Sequence, residues 1–369
     1  MADASTKVGG DIPDSMRSIV CHGPGDYRME TLPVPKDLAP GEILVKVLAA
    51  GICAGDAKCY AGAPLFWGDE SRKAYCQPPI TPGHEFVGEV VAFGEGAAEK
   101  YGLALGDHCI SEQIVPCWDC RYCKRGSFHM CQPHDIYGFH QKTPGAMAEY
   151  MKFPTGAINF KVPKTIPAWK AAFIEPLACS IHGVERGDIQ FDHVVVVSGC
   201  GPLGLGMVAA ARQKNPAKLI ALDMFDWKLD IAKKCGADLT FNPGKCNAVE
   251  EVQKLTDGYG CDVYIEVSGN PASVKQGLLM ISKLGTFVEF SVFGRETTVD
   301  WTIIGDTKEL NIRGGHCGPN CYPKAINMIA KDQLPMEDII THQFPLEDVV
   351  KGIDLVNKGT ESIKVVLLP

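Results

Sequence analysis

The stretch Val194-Val-Val-Val197-Ser198-Gly199-Cys200-Gly201-Pro202-Leu203-Gly204-Leu205-Gly206 decides the fold. Four β-branched residues in succession read as a strand buried on both faces. The strand runs into Gly199-x-Gly201-x-x-Gly204, and a helix is expected to follow through Met207, Val208, Ala209 and Ala210. Strand, glycine turn and helix in this order make a pyrophosphate cradle. The glycines let the backbone approach closely, and the helix N-terminus supplies positive partial charge. Pro202 suits the first helical turn, where its missing N–H is not needed.

A second strand, Leu219 to Leu222, ends in Asp223, and an acid about 20 residues after the glycines bonds the adenosine ribose hydroxyls and repels a 2′-phosphate. The expected cofactor is therefore NAD rather than NADP. Gly199, Gly201, Pro202, Leu203, Gly204, Asp223 and Lys228 are the candidate cofactor contacts. The alternation continues. Lys228 to Lys234 is amphipathic, Val263 to Glu266 reads as a strand, Ser273 to Leu279 as a helix and Gly285 to Phe290 as a strand. Such alternation builds a doubly wound parallel sheet. The pattern breaks after about Ile312, and the tail, with Ala325 to Ile329, Phe344 to Val356 and Lys364 to Leu368, is expected to return to the first domain.

Upstream, from Ser18 to about Tyr150, short apolar runs such as Ile43 to Leu48 and Phe86 to Val91 alternate with Gly and Pro. Long helical periodicity is missing, so a barrel-like β fold is expected. One excursion from it is Cys117-x2-Cys120-x2-Cys123-x7-Cys131. Four thiolates this close can fill a tetrahedral zinc shell. The competing reading is an iron–sulfur cluster, but the ferredoxin run places its fourth cysteine after three residues and before proline. Here the gap is seven, and Gln132 follows Cys131. A closed four-thiolate shell leaves no place for substrate, so the lobe is read as structural.

A second donor set is scattered. Gly51-Ile-Cys53-Ala-Gly55-Asp56 and Pro82-Gly83-His84-Glu85 are Gly-rich turns, and Glu175 lies in the apolar run Ala171 to His182. A catalytic zinc takes three protein ligands and keeps one position open. Cys53, His84, Glu85 and Glu175 are the candidates, with Asp56 as the carboxylate behind the metal-bound imidazole. Successive strand residues face opposite ways, so His84 and Glu85 can both ligate only if the chain turns there. Glu175 also suits a helix N-terminus, where a carboxylate is favoured without any metal. The loop from Ala61 to Ile80, with Phe66, Trp67 and Tyr75, either caps a substrate pocket or is a flap packed on its own domain.

The chain has 369 residues, enough for two domains with their own cores. Lys+Arg 36 against Asp+Glu 44 gives a net charge of −8, which argues against a nucleic-acid partner. No apolar run approaches the ~20 residues of a membrane helix, and Met1 to Ser15 lacks the basic start and apolar middle of a signal peptide. Sixteen cysteines in a chain of this size, with metal spacing, point to a reducing compartment and a cytoplasmic protein.

Gly83-His84-Glu85-x2-Gly88, the cysteine lobe, Glu175-Pro176 and the glycine fingerprint, in this order, resemble the zinc-containing medium-chain alcohol dehydrogenases over nearly the whole chain from about Arg17. Glu175 in place of a cysteine looks like the polyol (sorbitol-type) branch. Cys59-Tyr60-x5-Phe66-Trp67, Ser111-Glu-Gln-Ile-Val-Pro116 and Cys131-Gln-Pro-His134-Asp-Ile-Tyr137 look similar to the bacterial erythritol/L-threitol dehydrogenases. The resemblance implies an α/β protein with a GroES-like β-barrel catalytic domain over 17–174 and 315–369, carrying the zinc lobe at 117–131. A Rossmann domain at 175–314 and a loose extension at 1–16 complete it. Two zinc ions per chain, NAD, a catalytic zinc in the interdomain cleft and a homotetramer or homodimer are implied too.

The expected reaction is hydride transfer from a secondary alcohol of a small polyol to NAD, giving a ketose. Alternatives are a zinc dehydrogenase for sorbitol or xylitol, L-threonine or a butanediol, and a non-catalytic NAD- and zinc-binding redox sensor or structural protein. Two positions depart from the resemblance. Gly55 stands where a Ser or Thr would pass the substrate proton outward, and the segment at Cys317-Gly318 lacks the Arg-aromatic pair that holds sorbitol.

Overall fold

A computed structural model describes residues 7–369. The chain divides into two compact units. One contains the residues up to Glu175 with Ala325–Ala330 and Ile340–Pro369, and the other Pro176–Lys324 with Lys331–Ile339.

The first unit is built on an eight-stranded sheet. Its main path runs Asn159–Val162, His108–Ser111, Glu85–Phe93, Ile43–Ile52, Lys364–Leu368, Ile340–Pro345. All but the last of these neighbours pair antiparallel. Lys7–Val8 adds to Glu85–Phe93, and Tyr150–Phe153 to Ile43–Ile52. Ile43–Ile52 is buried along its length except at Lys46 and Leu48, as its apolar run requires. Against its inner end pack Ile19, Ala57, Met147, Ile353 and Val365.

The second unit holds a six-stranded, wholly parallel sheet. Its order is Leu239–Phe241, Lys218–Leu222, Val194–Ser198, Cys261–Glu266, Ile281–Glu289, Asn311–Gly314. The first strand in sequence is third in space, so the order reverses beside Val194–Ser198. That reversal is the switch point at which doubly wound sheets bind ligands. Val196, Ile220, Val252, Tyr264 and Phe287 fill one face of the sheet.

Three expectations change. The loose extension over 1–16 lies outside the described residues for 1–6, but Lys7–Val8 already pairs with Phe93 and Ala92, and a strand starts at Ser15. The strand expected from Gly285 begins at Ile281, directly after the Pro271–Met280 helix; exposed Lys283 and Leu284 hide it from periodicity. The return to the first unit comes later than residue 315. Lys324 pairs with Glu185, a Cβ on Gly318 would lie 2.5 Å from Ala178, and Lys234 pairs with Asp338, so these segments stay with the parallel sheet.

Candidate active site

Cys53, His84 and Glu85 present ligand atoms that all lie within 4.8 Å of one another. Backbone pairing explains the convergence. Glu85 opens the Glu85–Phe93 strand opposite Gly51, the penultimate residue of Ile43–Ile52. A Cβ at Gly51 would stand 2.1 Å from Glu85 Oε2, so only glycine leaves the carboxylate its place. Just before the strand, Gly83 has φ +101° and turns the chain, which lets His84 and Glu85 face one centre. Ala146 N–H donates to Gly83 O at 3.0 Å, and Met147 N–H to Pro82 O at 2.9 Å, locking that turn.

Cys53 is the N-cap of the Ala54–Tyr60 helix. Gly55 N–H donates to its Sγ at 3.3 Å, and its own N–H donates to Asp56 Oδ2 at 2.9 Å. The remaining Asp56 oxygen, Oδ1, faces His84 Nδ1 at 3.6 Å, and both atoms are buried with no hydrogen-bond partner. Nδ1 therefore faces a carboxylate, the arrangement found behind metal-bound imidazoles. Burial alone would lower the His84 pKa, yet Asp56, Cys53 and Glu175 raise it well above the ordinary value. The negative donors outweigh desolvation, so the centre favours a cation. Thiolate, imidazole and carboxylate together match zinc's ligand preferences.

Glu175 does not join the tight group. It sits in the first turn of the Ile174–Arg186 helix, buried, and Gln113 Nε2 donates to its Oε1 at 2.6 Å. It is still close enough to raise the pKa of both His84 and Lys364. Lys364 is the residue that reading the sequence missed. Its buried ammonium donates to Glu85 Oε1 at 2.8 Å, Glu85 Oε2 at 2.5 Å and Ile52 O at 3.0 Å. Glu85 thus has a cationic partner in direct contact, and Glu175 accepts from the neutral Gln113 amide. Gln113 was missed as well. The only available signals were a polar residue beside apolar Ile114 and a lysine opening the apolar run Val365 to Leu368.

The Ala61 to Ile80 loop folds onto its own unit. Trp67 Nε1 donates to Cys59 O at 2.7 Å, and Tyr75 and Cys76 N–H both donate to Phe66 O. Phe66 stacks on Phe139 at 5.1 Å between centroids, and Phe139 lies 5.5 Å from the His84 ring. The loop therefore adds an aromatic wall beside the donor group. A Cβ on Gly55 would stand 3.6 Å from Cys53 Sγ and 3.8 Å from Phe66, ordinary contacts, so a hydroxyl-bearing residue is missing there for no steric reason.

The lobe cysteines Cys117, Cys120, Cys123 and Cys131 also gather within 4.8 Å. Backbone N–H groups point at the sulfurs, from Cys117 to Cys131 Sγ at 3.2 Å, Cys120 to Cys117 Sγ at 3.3 Å and Gln132 to Cys120 Sγ at 3.5 Å. Donors from Cys123 and Gln132 pull the Cys120 thiol down to about 6. Four sulfurs so arranged fit a tetrahedral thiolate-bound metal.

In the second unit, Gly201 is the N-cap of the Pro202–Arg212 helix with no side-chain cap, and a Cβ there would meet nothing within 4 Å. That open space fits a pyrophosphate at the helix N-terminus. Gly199 (φ +107°) and Gly204 are needed for packing, since a Cβ on Gly204 would stand 1.8 Å from Gly199 O. Leu203 is on the same first turn, and its carbonyl accepts from Ser180 Oγ at 2.9 Å. Asp223 ends the second strand and steadies the turn, accepting from Cys200 N–H at 2.7 Å and Phe225 N–H at 2.9 Å. The buried Lys228 amine lies over the Phe225 ring at 5.0 Å, and burial lowers its pKa while Asp223 opposes.

A donor group of thiolate, imidazole and carboxylate in one unit and a glycine turn at the switch point of the other define a zinc- and nicotinamide-dependent dehydrogenase of the medium-chain type. Residues 39–164 match the alcohol dehydrogenase GroES-like domain, and residues 202–331 the zinc-binding dehydrogenase domain. The chain belongs to the zinc-binding alcohol dehydrogenase family. It is 55% identical to an erythritol/L-threitol dehydrogenase of Mycolicibacterium smegmatis over 98% of this chain and 100% of that one. It is 35% identical to an L-threonine 3-dehydrogenase of Caldanaerobacter subterraneus subsp. tengcongensis over 91% of this chain and 93% of that one. An alcohol dehydrogenase of E. coli CFT073 complexed with NADH has the same fold. Its TM-score is 0.84 and its identity 26%, over 97% of this chain and 100% of that one.

Proposed function

We propose that this dehydrogenase oxidises a secondary alcohol of a small polyol of the erythritol or threitol kind to a ketose, passing hydride to NAD. The convergence of Cys53, His84 and Glu85 within 4.8 Å carries the reading. The 55% identity to an erythritol/L-threitol dehydrogenase supports the substrate, against 35% for a threonine enzyme. Gly318 also disfavours sorbitol, because a side chain there would run into Ala178.

In this reading Cys53 and His84 hold zinc, with Glu85 or Glu175 as third ligand. Zinc supplies Lewis acidity toward the substrate oxygen when bound. Asp56 orients His84 through Nδ1, Lys364 restrains Glu85, and Phe66 and Phe139 exclude water beside the imidazole. Gly199, Gly201, Pro202, Leu203 and Gly204 receive the pyrophosphate, and Asp223 with Lys228 the adenosine ribose. A second zinc braces residues 117–131. The two compact units serve as catalytic and NAD-binding domains.

The assembly we propose is a homodimer or homotetramer. Asn311–Gly314 is the outer strand of its sheet, and exposed Ile312 on it is available to a second copy. No disulfide joins any two cysteines among the described residues, which supports a cytoplasmic location. No helix among the described residues is long and apolar enough to cross a membrane. A panel of tetritols, pentitols, L-threonine and butanediol with NAD and NADP tests the proposal. Fastest turnover on a tetritol with NAD is expected, and preference for threonine or a diol overturns the substrate assignment.

A further inference from the structure

A cavity of about 410 Å³ opens beneath the hairpin formed by Ser15–Gly23 and Asp26–Pro33. Its floor is apolar, with Met16, Val20, Ile80, Ala148 and Met151 buried and Leu32 half-buried along it. Such a floor favours an apolar ligand over a polyol. The ionisable groups lining the cavity are His22, Glu30, Lys142, Lys152 and the neutral phenol of Tyr150. His22 and Glu30 pair with each other at 2.6 Å, and Lys152 pairs with Glu42 at 2.9 Å. Lys142 is exposed, and its amine has no hydrogen-bond or ion-pair partner among the described residues. The cavity thus combines an apolar interior of ligand size with one uncommitted positive charge.

We propose that this cavity binds a small amphipathic carboxylate, its apolar tail on the Met16–Ala148 floor and its anionic head at Lys142. The occupant touches the back of the metal-binding turn. Thr81 and Gly145 line the cavity, Gly145 N–H donates to Thr81 O at 2.7 Å, and the next two rungs of the same ladder hold Gly83 and Pro82. His84 follows directly, so the ligand braces the segment that sets the imidazole without entering the donor group.

The test is calorimetric titration of the zinc- and NAD-loaded enzyme with hexanoate, octanoate, octanol and octylammonium. Octanoate is expected to bind one per chain and on the order of tenfold tighter than hexanoate, from two more buried methylenes. Lys142→Glu should weaken octanoate roughly fivefold and leave octanol unchanged. Ala148→Phe, which fills the floor, should abolish binding of both. Should Ala148→Phe fail to fold, the exposed Lys142→Glu still decides. Octylammonium binding as tightly as octanoate, indifference to Lys142→Glu, or concentration-dependent self-association that occupies the cavity overturns the proposal. None of these outcomes bears on turnover of the polyol panel, so the assignment of substrate stands or falls separately.

Discussion

The Lys364 ammonium meets the Glu85 carboxylate inside the first unit, 2.8 Å from Nζ to Oε1, with side-chain exposures of 2% and 3%. A buried ion pair is dangerous to break, because the surviving charge has lost its water. Lys364→Met should cost about 3–5 kcal/mol in metal-free protein. Zinc at Cys53 and His84 offers Glu85 a replacement cation, so the loss should shrink when metal is present. Denaturant unfolding of zinc-loaded and chelator-treated protein checks this, and an equal loss in both states contradicts it.

Glu85 and Glu175 should behave differently on substitution. Glu85→Gln leaves Lys364 without its anion and should lower stability as well as turnover. Glu175→Gln changes a carboxylate that accepts from the neutral Gln113 amide and stays outside the Lys364–Glu85 ion pair, so it should reduce metal affinity with a smaller change in unfolding midpoint. Zinc competition with a chelator, run beside thermal melts, separates the two effects.

The lobe should hold its metal independently. Cys120→Ser is expected to reduce bound zinc from two ions per chain to one and to lower the melting temperature, because metal binding to a thiolate loop is folding free energy. The pH dependence follows from the depressed Cys120 pKa. A depressed group contributes stability that is fully present above its unfolded value of 9.0 and is lost as pH falls through the folded value of about 6. Burial opposes this at Cys123, whose thiol is pushed up to about 12, so zinc release followed with a chromogenic chelator should increase steadily as pH falls. Release that is complete at neutral pH contradicts the lobe's assignment.

Asp223 steadies the glycine turn, and in the proposed function it also guards against a 2′-phosphate. Asp223→Ser should shift the NAD-to-NADP ratio of kcat/KM on the order of tenfold or more toward NADP. It should also destabilise the second unit by about 1–3 kcal/mol, since Cys200 and Phe225 N–H lose their acceptor.

What could be read from sequence was what lies close together in it. The glycine turn needs Gly204 for its close approach to Gly199 within one strand–helix unit, and the cysteine lobe closes within fifteen residues, so spacing alone exposed both. Lys364 reaches Ile52 and Glu85 only because Val365, Val366 and Leu367 pair with Ile52, Gly51 and Ala50, a register set across some three hundred residues. No local pattern announces that. Gln113 was invisible for the same reason, since its partner Glu175 lies in another element. The later return to the first unit turns on Gly318 and Lys324 packing against the Ile174–Arg186 helix, which periodicity does not register.

The most direct test is the rate of NAD reduction with erythritol by zinc-loaded wild-type and His84→Ala proteins, each first shown to bind NAD. The account predicts turnover in the wild type and a loss on the order of a thousandfold or more in the variant, with NAD affinity retained. A variant that reduces NAD within a few-fold of the wild-type rate would show that the centre formed by Cys53, His84 and Glu85 is not where the chemistry takes place.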